Sequence, residues 1–449
     1  MARDTREQVA AALAAAFLAG GWHLRLLLAR GAEVLDAGGP WLREVAADVL
    51  TRWREPPLDD HRGLGDFVRQ HRSFLDAWRR REVPRRVAHY LSFEPKMRPT
   101  RWPVPTLHTS GDVAAWLGLS DRELTWFSDP SGVGRHRRQA RAGHYTQVWL
   151  ARGERLPRLL EAPRPRLKAL QRRVLRELLQ ALPAHEAAHG FVPGRSVLTL
   201  AALHVGRPVV VRFDLRHFFT SVRPARAFGV LRSLGYPYEV ASPLLGLCTT
   251  RTPPAVLARA PVPVGADGAV LNQRFFMLRA LETWHLPQGA PTSPAWANLC
   301  AWWLDARLSA WARAAGLAYS RYADDLVFSG PEALPLQRLS VVVDAVARDE
   351  GFLVNVEKTR VMRQSQRQEV TGVVVNARPN VSRADYDALK ALLHRCVKKG
   401  PNSQSTTTVE ALRAHLMGRV AWVAQLNPAR GEKLRRELAR IDFGQRSAR

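Results

Sequence analysis

Residues 317–329 read LAYSRYADDLVFS, with the adjacent carboxylates Asp324 and Asp325 between two apolar runs. The runs are rich in the aromatic and branched residues that strands prefer. We therefore predict a hairpin of two short strands whose tight turn holds both aspartates at its tip. Two adjacent carboxylates beside an apolar core are costly to keep ionised, because they repel each other and lose hydration. A bound divalent cation removes that cost.

A third carboxylate, Asp214, ends the strand-like run VVVRFD at residues 209–214. At the two-residue period of a strand, it falls on the opposite face from the odd-numbered residues of the run, so we expect it on the side away from the core. Mg²⁺ prefers carboxylate and phosphate oxygens, and two ions about 3.5–4 Å apart stabilise both the attacking and the leaving oxygen of a phosphoryl displacement. Asp214, Asp324 and Asp325 are thus the predicted catalytic residues and the ligands of two Mg²⁺ ions in a polymerase-type site.

Between these acidic sites, residues 286–294 read LPQGAPTSP and run into an apolar, helix-like stretch over 295–308. Taken alone, this segment is a stiff loop followed by a helix start, since proline is favoured in the first helical turn. An isolated pair of aspartates is likewise most often a turn or a helix cap. The order Asp214, Leu-Pro-Gln-Gly, Tyr-Ala-Asp-Asp is far more specific than any of its parts.

With its motifs in this order, the chain resembles the reverse transcriptases, and most closely the bacterial retron reverse transcriptases of the myxobacterial type. The similar segments are GFVPGRS (190–196), FDLRHFF (213–219), LPQGAPTSP (286–294), RYADDL (321–326), NVEKT (355–359) and VTG (370–372). They follow the family's order across roughly residues 106–430, and nothing in the first hundred residues is recognised. The resemblance implies an α+β, right-hand polymerase fold with fingers, a palm, a helical thumb and an α-helical N-terminal extension.

The resemblance also implies roles at the nucleotide site. Phe219 occupies the position of the bulky residue that excludes a 2′-hydroxyl from the incoming sugar, although it is also explained as a core aromatic beside Phe218. Gln288 matches the glutamine near the nucleotide sugar and the template base. Lys358 matches the lysine proposed to protonate the departing pyrophosphate, or is an exposed charge beside Glu357. Asp324 is the stronger direct metal ligand and Asp325 the supporting one.

Two departures from the family pattern affect the triphosphate contacts. Relatives commonly carry an acid where this chain has His217, and a lysine-rich hairpin tip where it reads ARGER at residues 151–155. The histidine leaves main-chain contacts to the triphosphate in place and alters the local charge. The hairpin tip leaves open which cation meets the triphosphate, and Arg158 and Arg195 are the candidates.

Contacts to nucleic acid are expected from an aromatic residue of the aspartate turn and from basic residues on helices. A helix predicted over 166–182 carries an apolar stripe opposite a basic face, which is either a template contact or a solvated surface. The expected contacts are Tyr322, Arg172, Arg176, Lys398 and Lys399.

The composition supports a nucleic-acid partner. There are 67 lysines and arginines against 40 acidic residues, a formal charge of +27 that draws the protein to phosphate backbones in a salt-dependent way. A high arginine content also fits a GC-rich genome. The three cysteines, Cys248, Cys300 and Cys396, form no zinc pattern or disulfide framework, which favours a reducing, cytoplasmic location.

The N-terminal segment reads as helical. The stretch 9–28 is alanine-rich and apolar, but His23, Arg25 and Gly20-Gly21 interrupt it, so we predict a buried helix and no membrane role. Residues 110–127 predict two short helices with a turn at Gly118. They match a segment that precedes the fingers, and a DNA-reading helix-turn-helix is the alternative. A basic loop over 129–143 and a β-hairpin over 144–161 follow.

The C-terminal part predicts three helices after Pro379, which we interpret as a thumb that grips a template and primer duplex through its backbone, with a plain helical bundle as the alternative. Thr407 and Glu410 predict a capping box for the second of these helices. The expected domains are the extension (1–105), the pre-fingers helices and fingers (106–205), the palm with a fingers-like insertion near 225–285 (206–378), and the thumb (379–449).

The function expected from the resemblance is RNA-directed DNA synthesis from dNTPs. A retron-type enzyme would copy a structured non-coding RNA from an internal 2′-hydroxyl into an RNA-linked single-stranded cDNA, with an effector protein in antiphage defence. The alternatives are another reverse transcriptase class, such as a CRISPR-associated or group II intron enzyme, a polymerase that adds nucleotides without a template, and a catalytically silent RNA-binding scaffold.

Overall fold

The computed structural model describes residues 4–129, 143–404 and 408–443 of the chain. The elements up to residue 182 are α1 (Arg6–Leu18), α2 (Leu24–Leu35), α3 (Pro40–Arg52), α4 (His61–Gln70), α5 (Arg72–Arg79), α6 (Ser110–Leu117), α7 (Asp121–Ser128), β1 (Tyr145–Arg152), β2 (Arg155–Pro163) and α8 (Pro165–Glu177). Those up to residue 300 are α9 (Val197–Ala202), β3 (Val209–Asp214), α10 (Phe218–Ser221), α11 (Pro224–Ser233), α12 (Tyr238–Cys248), α13 (Pro254–Leu257), α14 (Gly268–Glu282) and α15 (Ser293–Cys300). The remainder are α16 (Trp302–Ala314), β4 (Ala318–Tyr322), β5 (Asp325–Gly330), α17 (Leu336–Asp349), β6 (Arg360–Arg363), β7 (Glu369–Val370), β8 (Val373–Val374), α18 (Arg383–Lys399), α19 (Val409–Leu426) and α20 (Pro428–Ala439).

The chain divides into two compact units. Unit 1 comprises Met1–Leu182 and Arg223–Trp296, and unit 2 comprises Pro183–Val222 and Ala297–Arg449. The insertion predicted near residues 225–285 therefore belongs to the same unit as the N-terminal helices and the β1–β2 hairpin.

The N-terminal helices of unit 1 enclose a core of their own. The sequence predicts one buried helix over 9–28, but the structure has two, α1 and α2. They are separated at Gly20 and Gly21, because glycine disfavours a continuous helix. Leu13, Phe17 and Leu27 are fully buried there. Among the described residues, no helix combines the length and the apolar character that a membrane crossing requires.

The other predictions for unit 1 are largely confirmed. Helices α6 and α7 each begin with a capping box, and between them Gly118 has a φ of +70°, which favours glycine. Strands β1 and β2 form the predicted hairpin. Helix α8 ends at Glu177, before the predicted end at 182, and a 3₁₀ turn follows. Residues 130–142 of the predicted basic loop lie outside the described residues.

Unit 2 is built on an antiparallel sheet in the order β4-β5-β3-β6. Its central strand β3 is buried on both faces, and Asp214 is only 6% exposed, so the expectation that this residue lies away from the core is wrong. The reason is that pairing with β5 and β6 covers both edges, and packing covers both faces, so an alternating pattern no longer separates inside from outside.

The three predicted C-terminal helices are present as α18, α19 and α20 and share one hydrophobic core with the sheet through Val210 and Val327. The predicted capping box is wrong. The cap of α19 is Thr408, whose Oγ1 accepts a hydrogen bond from Ala411 N at 3.3 Å, which places Glu410 one position too early. Thr407 lies outside the described residues. The stretch predicted as one helix over 295–308 is divided at Ala301 between α15 and α16.

Candidate active site

The predicted aspartate hairpin is present, and the sheet brings the third carboxylate to it. Strands β4 and β5 are joined through Ala323 and Asp324, with Ala323 at a φ of +54°. Asp214 at the end of β3 is the direct register partner of Asp325 at the start of β5. The main-chain N–H of Leu215 donates to Asp324 O at 2.8 Å, which ties the turn to the end of β3.

Asp214 is held by two side chains from the segment after α17. Lys358 Nζ donates to both of its carboxylate oxygens, at 2.9 and 3.0 Å, and Asn355 Nδ2 donates to Oδ1 at 3.3 Å. Lys358 itself is 60% exposed, whereas the Asp214 side chain is 8% exposed. The carboxylate is therefore buried, whereas most of the lysine side chain that binds it is exposed to solvent.

Asp325 is held from its own sheet. Arg212, two residues before Asp214 on β3, binds both carboxylate oxygens with contacts of 2.7, 2.9 and 2.9 Å. Burial raises the pKa of Asp325 above its ordinary value, the Arg212 guanidinium opposes that rise, and the negative charges of Asp324 and Asp214 add to it. The three carboxylates thus lie close enough to repel one another.

A divalent cation fits this donor set in kind. Carboxylate oxygens are the ligands that Mg²⁺ prefers, and their mutual repulsion is what such an ion relieves. Within the described part of the chain, no group of three or more His, Cys, Asp and Glu side chains is arranged so as to hold a metal ion. Asp214 and Asp325 bind Lys358 and Arg212 instead.

A buried ion pair supports the aspartate turn from behind. Arg321 and Asp305 are both fully buried, and the guanidinium donates to both carboxylate oxygens, at 2.8 and 2.6 Å. Arg321 Nη1 also donates to Ala323 O and to Asn298 Oδ1, each at 3.0 Å. Tyr319 donates to Asp305 at 2.9 Å. The path of the turn is therefore set by a charged side chain inside the sheet.

The loop at Gly190 packs directly on the turn. A side chain at Gly190 would bring its Cβ within 2.8 Å of Ala323 N, so the close approach requires glycine. Asn298 Nδ2 donates to Gly190 O at 2.9 Å. The next residue, Phe191, has a φ of +61° and is 52% exposed. A bulky residue in this conformation is held there by its surroundings.

Three aromatic rings lie together beside the aspartates. The Phe191 ring centroid is 6.3 Å from that of Phe219 and 6.1 Å from that of Tyr322. Phe218 is the core aromatic, stacked on Phe352 at 5.6 Å, while Phe219 is only partly buried. Phe219 and Tyr322 are thus accessible at the site, as their predicted roles require.

Arg195 is already bound to the protein. Its Nη1 donates to three main-chain carbonyls, those of His185, Glu186 and Ala188, at 2.7, 3.1 and 2.6 Å. These contacts hold the segment that precedes Gly190. The predicted role of Arg195 as a triphosphate contact stays a prediction.

The predicted contacts from unit 1 and from the last helices are accessible. Arg158 is exposed on β2, Arg172 and Arg176 are exposed on α8, and Gln288 is partly buried in the loop before α15. Lys398 and Lys399 are exposed at the end of α18.

Sequence reasoning missed the residues that position the aspartates, namely Arg212, Asn298, Asp305, Arg321 and Asn355. A usable signal existed for Arg321, because a charge inside an apolar strand must be paired if it is buried. Its partner, 16 positions earlier on α16, carried no such signal.

Comparisons with known proteins agree with the geometry. The family model described as reverse transcriptase (RNA-dependent DNA polymerase) matches residues 154–375. The chain is 43% identical over 339 residues to the retron Mx65 reverse transcriptase of Myxococcus xanthus, covering 75% of this chain and 72% of that protein. It is 38% identical over 357 residues to the retron Mx162 reverse transcriptase of the same organism, covering 75% and 67%. The retron Ec86 reverse transcriptase of Escherichia coli is 30% identical over 242 residues, covering 54% and 66%.

Proposed function

Because the chain belongs to the retron reverse transcriptases and is an RNA-directed DNA polymerase with an α+β, right-hand polymerase fold, we propose that Asp214, Asp324 and Asp325 form its catalytic site with two Mg²⁺ ions. The observation that carries the proposal is the direct pairing of Asp214 with Asp325 across β3 and β5, with Asp324 in the adjoining turn. Enzymes of this family use divalent metal ions, and such ions activate the primer 3′-hydroxyl and neutralise the departing pyrophosphate.

The three aspartates have different roles in this site. Asp214 and Asp324 are the direct ligands, and Asp325, locked by the Arg212 guanidinium, orients the pair and contributes charge. Lys358 binds Asp214 through a largely exposed side chain, and a rotation of that side chain would bring its ammonium group to an oxygen of the leaving pyrophosphate. This arrangement supports its role as proton donor. Catalysis is then mainly positioning and charge neutralisation.

Nucleotide selection is assigned to the aromatic side chains that lie beside the aspartates in unit 2. Phe219 excludes the 2′-hydroxyl of a ribonucleotide, and Phe191 and Tyr322 offer ring faces on which a base stacks. Gln288 contacts the sugar and template base, and Arg158 and Arg195 meet the triphosphate.

The nucleic-acid partner is a structured non-coding RNA that acts as template and primer, copied from an internal 2′-hydroxyl into RNA-linked single-stranded cDNA, the msDNA of a retron. The names of the relatives and the formal charge of +27 support this. Arg172, Arg176, Tyr322, Lys398 and Lys399 contact the backbone. We further propose antiphage defence with an effector protein as its biological setting.

The functional division follows the same reasoning. Residues 1–105 form the extension, 106–205 the pre-fingers and fingers, 206–378 the palm with its insertion near 225–285, and 379–449 the thumb.

The test is incorporation of labelled dNTPs by purified protein with Mg²⁺, on an RNA template with an annealed DNA primer, followed by sequencing of the product. The Asp324→Asn/Asp325→Asn double variant is the matched control, because it keeps the size of both side chains and removes both charges. Template-complementary DNA made by the wild type alone is the expected result.

Two other outcomes would contradict the proposal. Product unrelated to the template would identify an untemplated polymerase. RNA binding by both proteins without synthesis, on this template and on RNA transcribed from the chain's own genomic neighbourhood, would identify a scaffold.

A further inference from the structure

Unit 1 contains a fully buried acid that no catalytic step uses. Glu161 on β2 is 1% exposed. Its Oε1 accepts a hydrogen bond from the Thr252 hydroxyl at 2.9 Å, and its Oε2 lies 2.8 Å from Nε2 of His285, which is fully buried. An acid in this environment is retained only with such partners.

The contacts of His285 show how tightly the pair is bound. Its Nδ1 lies 2.7 Å from the main-chain oxygen of Thr283, an atom that only accepts hydrogen bonds. Each of the two ring contacts therefore contains a hydrogen atom. One is donated by Nδ1 to the Thr283 oxygen, and the other lies between Nε2 and the Glu161 carboxylate. Both hydrogen bonds lie away from water, where a hydrogen bond is electrostatically stronger than in solution.

The same strand and the same histidine hold the loop that carries Gln288. The main-chain N–H of Glu161 donates to Gln288 O at 2.7 Å. Gly289 has a φ of +127°, and a Cβ there would lie 3.1 Å from Glu161 O, so the loop backbone packs directly on β2. His285, three positions before Gln288, also exchanges two main-chain hydrogen bonds of 3.0 Å with Thr250.

Glu161 also belongs to the strand that presents Arg158. Along β2, Leu159 and Glu161 are buried while Arg158, Leu160 and Ala162 are exposed. The buried face of the strand is thus fastened to the 283–289 segment, and its exposed face displays the arginine. Both proposed nucleotide contacts of unit 1 are therefore linked through Glu161: Arg158 lies on the same strand, the Glu161 main-chain N–H binds Gln288, and its carboxylate binds His285 at the start of the loop.

We propose that Glu161 and His285 are positioning residues for the incoming dNTP, which keep Gln288 and Arg158 in a fixed mutual geometry. This inference rests on the proposed nucleotide-binding role of those two residues. Apolar packing would hold β2 against the loop equally well but would leave its register less defined, whereas the paired acid and imidazole specify one alignment. A displacement of about 1 Å in a substrate contact is enough to impair a reaction.

The test is the dNTP dependence of primer extension by Glu161→Gln and His285→Gln, measured per active site from the amplitude of the first turnover. We expect the KM for dNTP to rise about tenfold in each, with a smaller fall in kcat and unchanged affinity for the primer–template. The KM of the double variant should be no higher than that of either single variant, since the two residues act as one unit.

Three controls separate positioning from stability. Glu282→Gln removes an equivalent charge from α14, where Glu282 pairs with Arg279 at the surface, and should leave the KM unchanged. Thr252→Val removes one hydrogen bond to Glu161 and keeps the contact between Glu161 and His285, so it should fold and show an intermediate KM. Gln288→Ala should raise the KM at least as much as Glu161→Gln.

The inference is overturned if Glu161→Gln and Thr252→Val only lower the active fraction or the melting temperature while the KM matches that of Glu282→Gln. It is also overturned if Gln288→Ala keeps the wild-type KM, although template-directed synthesis by the wild type would then still stand. Absence of synthesis by the wild type would instead reject the proposed function, and this inference with it.

Discussion

Asp214 and Asp325 lie directly opposite each other on neighbouring antiparallel strands, yet each binds a different cation. Asp325 is gripped through both oxygens by Arg212 of the same sheet, whereas Asp214 is bound by the exposed Lys358. Asp325 is therefore held in place through both oxygens, whereas the lysine that binds Asp214 is exposed to displacement by solvent and substrate.

This difference predicts unequal effects of neutralising the aspartates. Asp214→Asn and Asp324→Asn should each lower kcat by about 10²–10³-fold or more, because in the proposed mechanism each carboxylate supplies charge at the reacting phosphate. Asp325→Asn should cost roughly tenfold, equivalent to about 1.4 kcal/mol. Single-turnover extension at saturating Mg²⁺ measures all three, with Arg212→Met expected to resemble Asp325→Asn. Equal losses for the three aspartates would contradict the unequal roles.

Lys358 Nζ binds both Asp214 oxygens, so a metal ion held by Asp214 would have to displace it, which predicts opposite effects on two quantities. Lys358→Gln should lower kcat, because the proton donor is lost, and should lower the Mg²⁺ concentration for half-maximal activity about two- to fivefold, since a partly exposed ion pair contributes about 0.5–1 kcal/mol. A Mg²⁺ titration of primer extension gives both values. Lys358→Arg keeps the charge and should keep the wild-type Mg²⁺ dependence; a lowered requirement in both variants would argue against competition.

The buried pair between Arg321 on β4 and Asp305 on α16 should matter far more for stability than the surface pair between Arg307 on α16 and Asp349 on α17. Asp305→Asn leaves a buried guanidinium without its counter-charge and should destabilise unit 2 by roughly 3–5 kcal/mol. Asp349→Asn breaks the exposed contact with Arg307 and should cost under about 1 kcal/mol. Urea unfolding followed by tryptophan fluorescence compares them. Similar midpoints for the two variants would refute the prediction.

His204 predicts a loss of stability on acidification. It is fully buried between the hydroxyls of Ser320 and Ser329, each 2.7 Å from a ring nitrogen, and burial lowers its pKa from 6.5 to about 3. Between these pH values the unfolded state binds more protons than the folded state. The stabilising contribution of neutral His204 is therefore fully present above pH 6.5 and falls as the pH drops toward 3.

The size of this effect follows from the pKa difference. From pH 7.5 to 5.0, His204 should remove about 2 kcal/mol from the unfolding free energy. At pH 7.5, His204→Gln should have a lower free energy of unfolding than the wild type, but this free energy should fall less on acidification. Urea unfolding at the two pH values measures both. His394→Gln, at an exposed position on α18, serves as the control and should follow the wild type. The same pH slope in wild type and His204→Gln would exclude the buried histidine as the cause.

Phe219 and Phe191 should affect different properties of nucleotide use. Phe219→Val opens space beside the sugar and should reduce discrimination against ribonucleotides by about 10–100-fold. Phe191→Ala removes a stacking face, at about 1–3 kcal/mol per base, and should weaken binding of both nucleotide types without changing their ratio. Competing incorporation of dNTP and rNTP at one template position measures the ratio. A changed ratio in Phe191→Ala alone would reverse the two assignments.

The motif residues were predictable because their signals are local. The run before Asp214 and the runs around Asp324 have strand composition, and the structure has the corresponding strands β3, β4 and β5. The end of α6 was readable from Gly118 in the same way. The misplaced cap of α19 and the division of the 9–28 stretch show the limit, since helix ends depend on single hydrogen bonds that neighbouring residues compete to make.

The elements that carry the aspartates, their order and the family could be read from the sequence, because they depend on residue type and on spacing within a few turns or strands. The pairing of the charges, in contrast, follows from the tertiary structure. Arg212 meets Asp325 across 113 positions, Lys358 meets Asp214 across 144, and His285 meets Glu161 across 124. A buried charge requires some partner, but the path of the chain selects it, because the energy depends on distances of about 3 Å that no local pattern encodes.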